Sequence, residues 1–117
     1  MKYNEKIKFK KIKNKVEAIS IIQYLLSEIK KNTLIKIEKA VLFGSFANQQ
    51  QHEYSDIDLA LWSEDFTGVG FLDTQQLSSL FYQNPEFVSI ECHFFNREDD
   101  NPFQNEIRAT GIEILLP

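Results

Sequence analysis

Phe9, Ile12, Val16, Ile19, Ile22, Leu26 and Ile29 recur at steps of three and four. That spacing puts them on one stripe of a helix over roughly residues 11–31, with lysine, glutamine and glutamate on the other face. Upstream, KIKFK at 6–10 alternates like a strand, so the first ten residues stay open between an extended arm and a further helical turn. Asn32 and Thr33 end the helix, and KAVLF at 39–43 is a short apolar run stopped by Gly44 and Ser45, the pattern of a buried strand entering a tight turn. Residues 46–54, FANQQQHEY, contain neither glycine nor proline and read as a short helix or loop.

DIDLALW at 56–62 predicts a second strand. Side chains alternate along a strand, so Ile57, Leu59 and Leu61 take one face and Asp56, Asp58 and Ala60 the other. After a loop marked by Gly68 and Gly70, residues 71–83 carry Leu72, Gln76 and Leu80, with Leu77 and Phe81 alongside, in a helical pattern closed by Asn84 and Pro85. FVSIECHFF at 87–95 alternates again: Val88, Ile90, Cys92 and Phe94 share one face, and Ser89, Glu91 and His93 share the other. A polar turn over 97–101 leads to a helix over 102–110 that starts at Pro102, turns Phe103, Ile107 and Ala109 inward and stops at Gly111. IEILL then forms a final short strand or an extended tail.

With 117 residues, 43% of them hydrophobic and 26% charged, the chain has the composition of one ordinary globular domain, 1–117, with a Lys-rich N-terminal arm or helix over 1–31. Its longest apolar run is far below the roughly 20 residues needed to cross a bilayer, and MKYNEKIKFKK has no apolar core for a signal peptide, so no membrane is expected and residence is expected to be cytoplasmic. A single cysteine, Cys92, excludes an internal disulfide and fits a reducing compartment. Charge is unevenly placed: all 11 lysines fall within residues 1–39, whereas residues 40–117 hold only Arg97 and Arg108 against 13 acids. Such a basic head reads first as a solvated helix face; nucleic acid is an unlikely partner, because no aromatic RNA-binding motif accompanies the lysines.

Chemistry concentrates in LFGSFANQQQHEYSDIDLA at 42–60. Gly44 allows the backbone to approach a phosphate with no side chain in the way, and the Ser45 hydroxyl and nearby amides can donate to phosphate oxygens. Asp56 and Asp58 on one strand face repel each other when both are ionised, and a divalent cation removes the conflict. Mg²⁺ is typically held by one or two carboxylates plus substrate phosphates, which is what this pair offers. Two-metal nucleotidyl transfer usually needs a further carboxylate, and Glu91, on the polar face of an otherwise apolar strand, is the candidate. It would bind an ion or act as general base toward the acceptor hydroxyl. His93 shares its face, but a lone histidine is more often structural and is read so here. Cys92 points to the apolar side as an inert buried thiol, and the phenylalanines at 81, 87, 94 and 95 read as core.

On these residues the chain resembles the minimal nucleotidyltransferases of the polymerase beta superfamily, whose signature is Gly-Ser, a spacer, Asp-x-Asp, and a third acid on a following strand. Gly44, Ser45, Ala47, Ser55, Asp56, Ile57, Asp58 and Leu59 match it, with Glu91 in the third acid's place, and NPFQNEIRATGIEIL is similar to the tail of small bacterial members. After GSFA the family usually has Arg-Gly, where this chain has Asn48 and Gln49, losing a bidentate phosphate contact and a flexible backbone position.

The resemblance implies an α/β fold, a small mixed twisted sheet of three to five strands with helices mainly on one face and the site on the other. It also implies two Mg²⁺ ions held by Asp56, Asp58 and Glu91, a triphosphate seated by Gly44 and Ser45, and ATP as the nucleotide donor. The expected activity is adenylyl transfer to an acceptor hydroxyl on a HEPN-domain toxin, with the chain acting as antitoxin of a HEPN/MNT module. The alternatives are a catalytically weakened antitoxin acting by contact and an aminoglycoside-type enzyme whose drug pocket would need a dimer.

Overall fold

A computed structural model of the chain describes residues 12, 14–51 and 56–117. In order these form α1 (Lys15–Asn32), β1 (Lys39–Phe43), β2 (Ile57–Trp62), α2 (Gly70–Gln83), a 3-10 turn at Pro85–Ser89, β3 (Ile90–Phe95), α3 (Pro102–Thr110) and β4 (Ile112–Glu113). The four strands make one mixed sheet in the order β3-β2-β1-β4, with β1 antiparallel to both β2 and β4 and β2 parallel to β3. This is the α/β architecture expected. Antiparallel β1 and β2 are joined by residues 44–56, whereas parallel β2 and β3 require a crossover, supplied by α2 and the 3-10 turn.

One face of the sheet carries most of the core. Ala18, Ile22, Leu25, Leu26 and Ile29 of α1 and Leu77 and Leu80 of α2 pack on Leu42, Ile57, Leu59, Leu61 and Ile90. The buried stripe of α1 is therefore rotated from the one read in the periodicity: Val16 is 74% exposed, and Ala18 and Leu25 are buried instead. Phe9 and residues 6–10 lie outside the described residues. The capping residue explains the helix start, since Asn14 accepts a hydrogen bond at 2.9 Å from the N–H of Glu17, three residues further on, the usual N-cap geometry. In α2, Leu72 and Gln76 face solvent while Asp73 is buried. The alternation of residues 87–95 starts the strand three residues too early, because Pro85 opens a 3-10 turn and leaves Val88 exposed; the strand starts at Ile90.

Asp73 shows why its helix turns inward there. Its carboxylate accepts from the Thr67 N–H at 2.7 Å, the Thr67 hydroxyl at 2.9 Å and the Gly68 N–H at 3.0 Å, so the buried charge is offset by the loop that it ties down.

Among the described residues, the opposite face is covered by α3, where Ile107 packs on Val41, Ala60 and Trp62. Asn101 caps this helix by accepting from the Gln104 N–H at 2.8 Å, and Pro102 fits its first turn. At its end Gly111 has no room for a Cβ, which would run into Val41 and the carbonyls of Ile107 and Leu42. Phe103 is half exposed and Ala109 exposed, contrary to the inward positions expected, and the inward partner of Ile107 is Gln104. Buried Gln104 joins three elements: its Oε1 accepts from the Trp62 indole at 3.1 Å, the Asp99 N–H at 2.9 Å and Arg108 at 3.0 Å.

Between β1 and β2, residues 44–49 form a tight turn closed by Asn48 N–H to the Gly44 carbonyl at 3.1 Å and Gln50 N–H to the Ser45 carbonyl at 2.8 Å. Gln49 sits there at φ 59°, in the left-handed region that costs a side-chain-bearing residue about 1 kcal/mol. It occupies the place where the resembled family has glycine.

Two stability measurements follow. Gln104→Leu leaves the Trp62 indole and the Asp99 amide without an acceptor, and urea unfolding should register a loss of about 2–4 kcal/mol. Gln49→Gly relieves the backbone and should raise stability by up to about 1 kcal/mol in the same assay.

Candidate active site

The registers of β1, β2 and β3 build a grid on the face turned away from α1 and α2. Phe43, Asp58 and Glu91 stand in one cross-strand row, Val41, Ala60 and His93 in the next, and Lys39, Trp62 and Phe95 in the third. Ile107 of α3 covers the Val41, Ala60 and Trp62 part of this face. The first row lies at the sheet end where β1 runs into Gly44.

Gly44 has φ 76°, and a Cβ there would collide with the Asp58 carboxylate. The turn backbone is thus pressed against that side chain, and only glycine satisfies both demands. Asp58 and Glu91 are direct partners across β2 and β3, and like charges so placed destabilise a sheet. Burial raises the Asp58 carboxyl above its ordinary range; His93 pulls it down, while Glu91 and Asp56 push it up.

The structure brings together Asp58, Glu91 and His93, whose ligand atoms all lie within 4.8 Å of one another. Asp56, one residue before the paired part of β2, is exposed and lies outside this group, although its charge still acts on Asp58. Ser45 is half-buried in the turn next to Gly44. Of the residues picked out in the sequence, Gly44, Asp58 and Glu91 therefore converge.

His93 is the residue that reading set aside. Its ring packs against Phe43 and Phe103 at centroid distances of 5.1 and 6.0 Å, and its Nε2 lies 3.5 Å from Asp58 Oδ1. That nitrogen is shut off from solvent with no hydrogen-bond partner of good geometry. The signal for it was its i+2 spacing from Glu91 on one strand face, which carries weight only once the neighbouring strand is known. Cys92, by contrast, faces the helical layer, where burial, with Glu91 nearby, pushes its thiol up to about 12, so it stays a protonated core residue.

Two carboxylates and an imidazole that converge with little to balance them form a donor set suited to a divalent cation. The buried, unpartnered His93 Nε2 and the side-chain-free approach of Gly44 to Asp58 both fit such an ion.

The profile of the family described as polymerase beta, nucleotidyltransferase matches residues 20–116. Among solved structures, a Sulfolobus solfataricus protein assigned to the nucleotidyltransferases shares the fold with a TM-score of 0.56 at 14% identity, over 85% of this chain and 80% of that one. No curated protein sequence gives a significant match. No helix among the described residues is long and apolar enough to cross a membrane. With the family profile running from within α1 through β4, the chain belongs to the polymerase beta nucleotidyltransferase family and is a nucleotidyltransferase.

Proposed function

We propose that the chain moves AMP from ATP to an acceptor hydroxyl in a Mg²⁺-dependent reaction, the acceptor belonging to a HEPN-domain toxin for which this protein is the antitoxin. The observation that carries the chemistry is the in-register pairing of Asp58 with Glu91 beside Gly44. Asp58 and Glu91, with Asp56 approaching from the end of β2, would hold the ion. When bound, a divalent cation offsets the repulsion of these carboxylates and polarises phosphate oxygens.

The chain's own residues account for the remaining steps. Gly44 leaves the turn backbone open to the triphosphate, and the Ser45 hydroxyl donates to a phosphate oxygen. Glu91, exposed at the rim, accepts the acceptor's proton as its oxygen attacks the α-phosphorus; the bond to the bridging oxygen breaks and pyrophosphate departs. Phe43 and Phe103, packed around His93, wall the site on the side of α3 and keep water from that flank.

A second reading has one observation behind it. Asn48 and the strained Gln49 stand where the family usually has Arg-Gly, which favours a protein that neutralises its partner by contact with little catalysis. Incubation with ATP, Mg²⁺ and the protein encoded beside this one discriminates. The enzymatic reading expects the partner to gain the mass of one or more adenylyl groups, and Asp58→Ala to slow this by at least about 100-fold, since losing a ligand should cost no less than losing a residue that merely orients one. Neutralisation that survives Asp58→Ala without modification would establish contact instead.

Asp58 also links stability to pH. Its folded-state pKa is raised, so the folded chain holds this proton more tightly than the unfolded one, and stability falls as pH rises through that value. In EDTA at pH 7, Asp58→Asn is therefore expected to melt at a higher temperature than the natural protein. The difference should shrink as pH is lowered into the carboxylate range, and thermal scans across pH would check both.

A further inference from the structure

Three electron-rich groups meet at the end of the sheet, and His93 is the one whose presence the reaction proposed above does not explain. We propose that His93 Nε2 is an inner-sphere ligand, and that Asp58, Glu91 and His93 make a mixed oxygen and nitrogen site preferring a transition-metal dication such as Mn²⁺ over Mg²⁺. This rests on the reading of the site as a divalent-cation centre and goes beyond it in naming the ligand set and the kind of ion.

Geometry supplies the first argument. Glu91 and His93 are two apart on β3, so both side chains leave the same face, and Asp58 is the direct cross-strand partner of Glu91. One donor atom from each lies within 4.8 Å of the others, a spread that a single ion with ligand distances of about 2.0–2.2 Å can bridge with small side-chain adjustments. The second argument is the state of Nε2. It is sealed from solvent, makes no hydrogen bond of good geometry and lies 3.5 Å from Asp58 Oδ1. A neutral imidazole with its lone pair on that nitrogen would face two carboxylates with nothing positive between them. A cation there answers all three groups together.

The ring is also held in place. Phe43 and Phe103 contact it edge-on, which fixes the direction of Nε2 without competing for it. The choice of ion follows from donor chemistry: Mg²⁺ demands oxygen donors and near-ideal octahedral geometry, whereas imidazole suits the later divalent metals and strengthens their binding relative to Mg²⁺.

Pulsed electron paramagnetic resonance on the full chain, prepared without a histidine tag and loaded with Mn²⁺ alone, tests this directly. Expected is ¹⁴N modulation from a coordinated imidazole, converted to the ¹⁵N pattern by labelled histidine. Because the chain has only two histidines, the signal should persist in His52→Gln and vanish in His93→Gln. By titration calorimetry, His93→Gln should weaken Mn²⁺ binding by about 10–100-fold and Mg²⁺ binding by less than about threefold. Mn²⁺ bound in the natural protein with no nitrogen coupling would overturn the role of His93 while leaving a carboxylate site and nucleotidyl transfer standing. Failure of both ions to bind, with or without ATP, would overturn the cation centre itself. The spectrum of the natural protein decides the matter even if the variants fold poorly.

Discussion

Asp58 and Glu91 face each other across adjacent parallel strands, and a folded sheet gains nothing from two carboxylates in that position. The neighbouring structure makes the pairing unavoidable. Apolar residues on the other face of the same strands, Ile57, Leu59, Leu61 and Ile90, fix the register against α1 and α2, and a slip of one residue would turn all of them to the wrong side. Burial of the helical side therefore forces the acids together on the other. Burial raises the proton affinity of Asp58 and the charges of Glu91 and Asp56 add to it, so the ionised cluster calls for a cation.

A comparison within the molecule sharpens the point. Asp73 is more deeply buried than Asp58, yet it receives three close hydrogen bonds from Thr67 and Gly68 and acts as a clasp for its loop. Asp58 has no such set of donors among the described residues; its neighbours are a second carboxylate, a histidine and a glycine that leaves space. The same side chain thus stabilises the fold in one place and stores a binding capacity in the other, and the difference lies in the donors around it.

The rear of the site is closed by α3, which is short and depends on one polar residue. Gln104 satisfies the Trp62 indole and the backbone of the 97–99 turn together, holding the helix across the Val41, Ala60 and Trp62 part of the grid. Phe103, one residue earlier, is then left half exposed toward Phe43 and His93. A structural hydrogen-bond hub in the core and an aromatic wall at the site are therefore successive positions of one helical turn.

Alternation in DIDLALW and IECHFF was enough to assign Asp58, Glu91 and His93 to polar strand faces, and the order Gly44-Ser45 then Asp56-x-Asp58 was enough to identify the family, because these are local properties of the chain. Where the buried stripe of α1 lies, and where β3 begins, were less legible: several apolar positions compete along α1, and Pro85 replaces extended backbone by a 3-10 turn without breaking the hydrophobic alternation. That His93 rather than Asp56 joins Asp58 and Glu91 was decided only by the tertiary structure. It depends on the register between strands 28 residues apart in sequence at their ends, Trp62 and Ile90, and no pattern along a single strand contains the register of its neighbour.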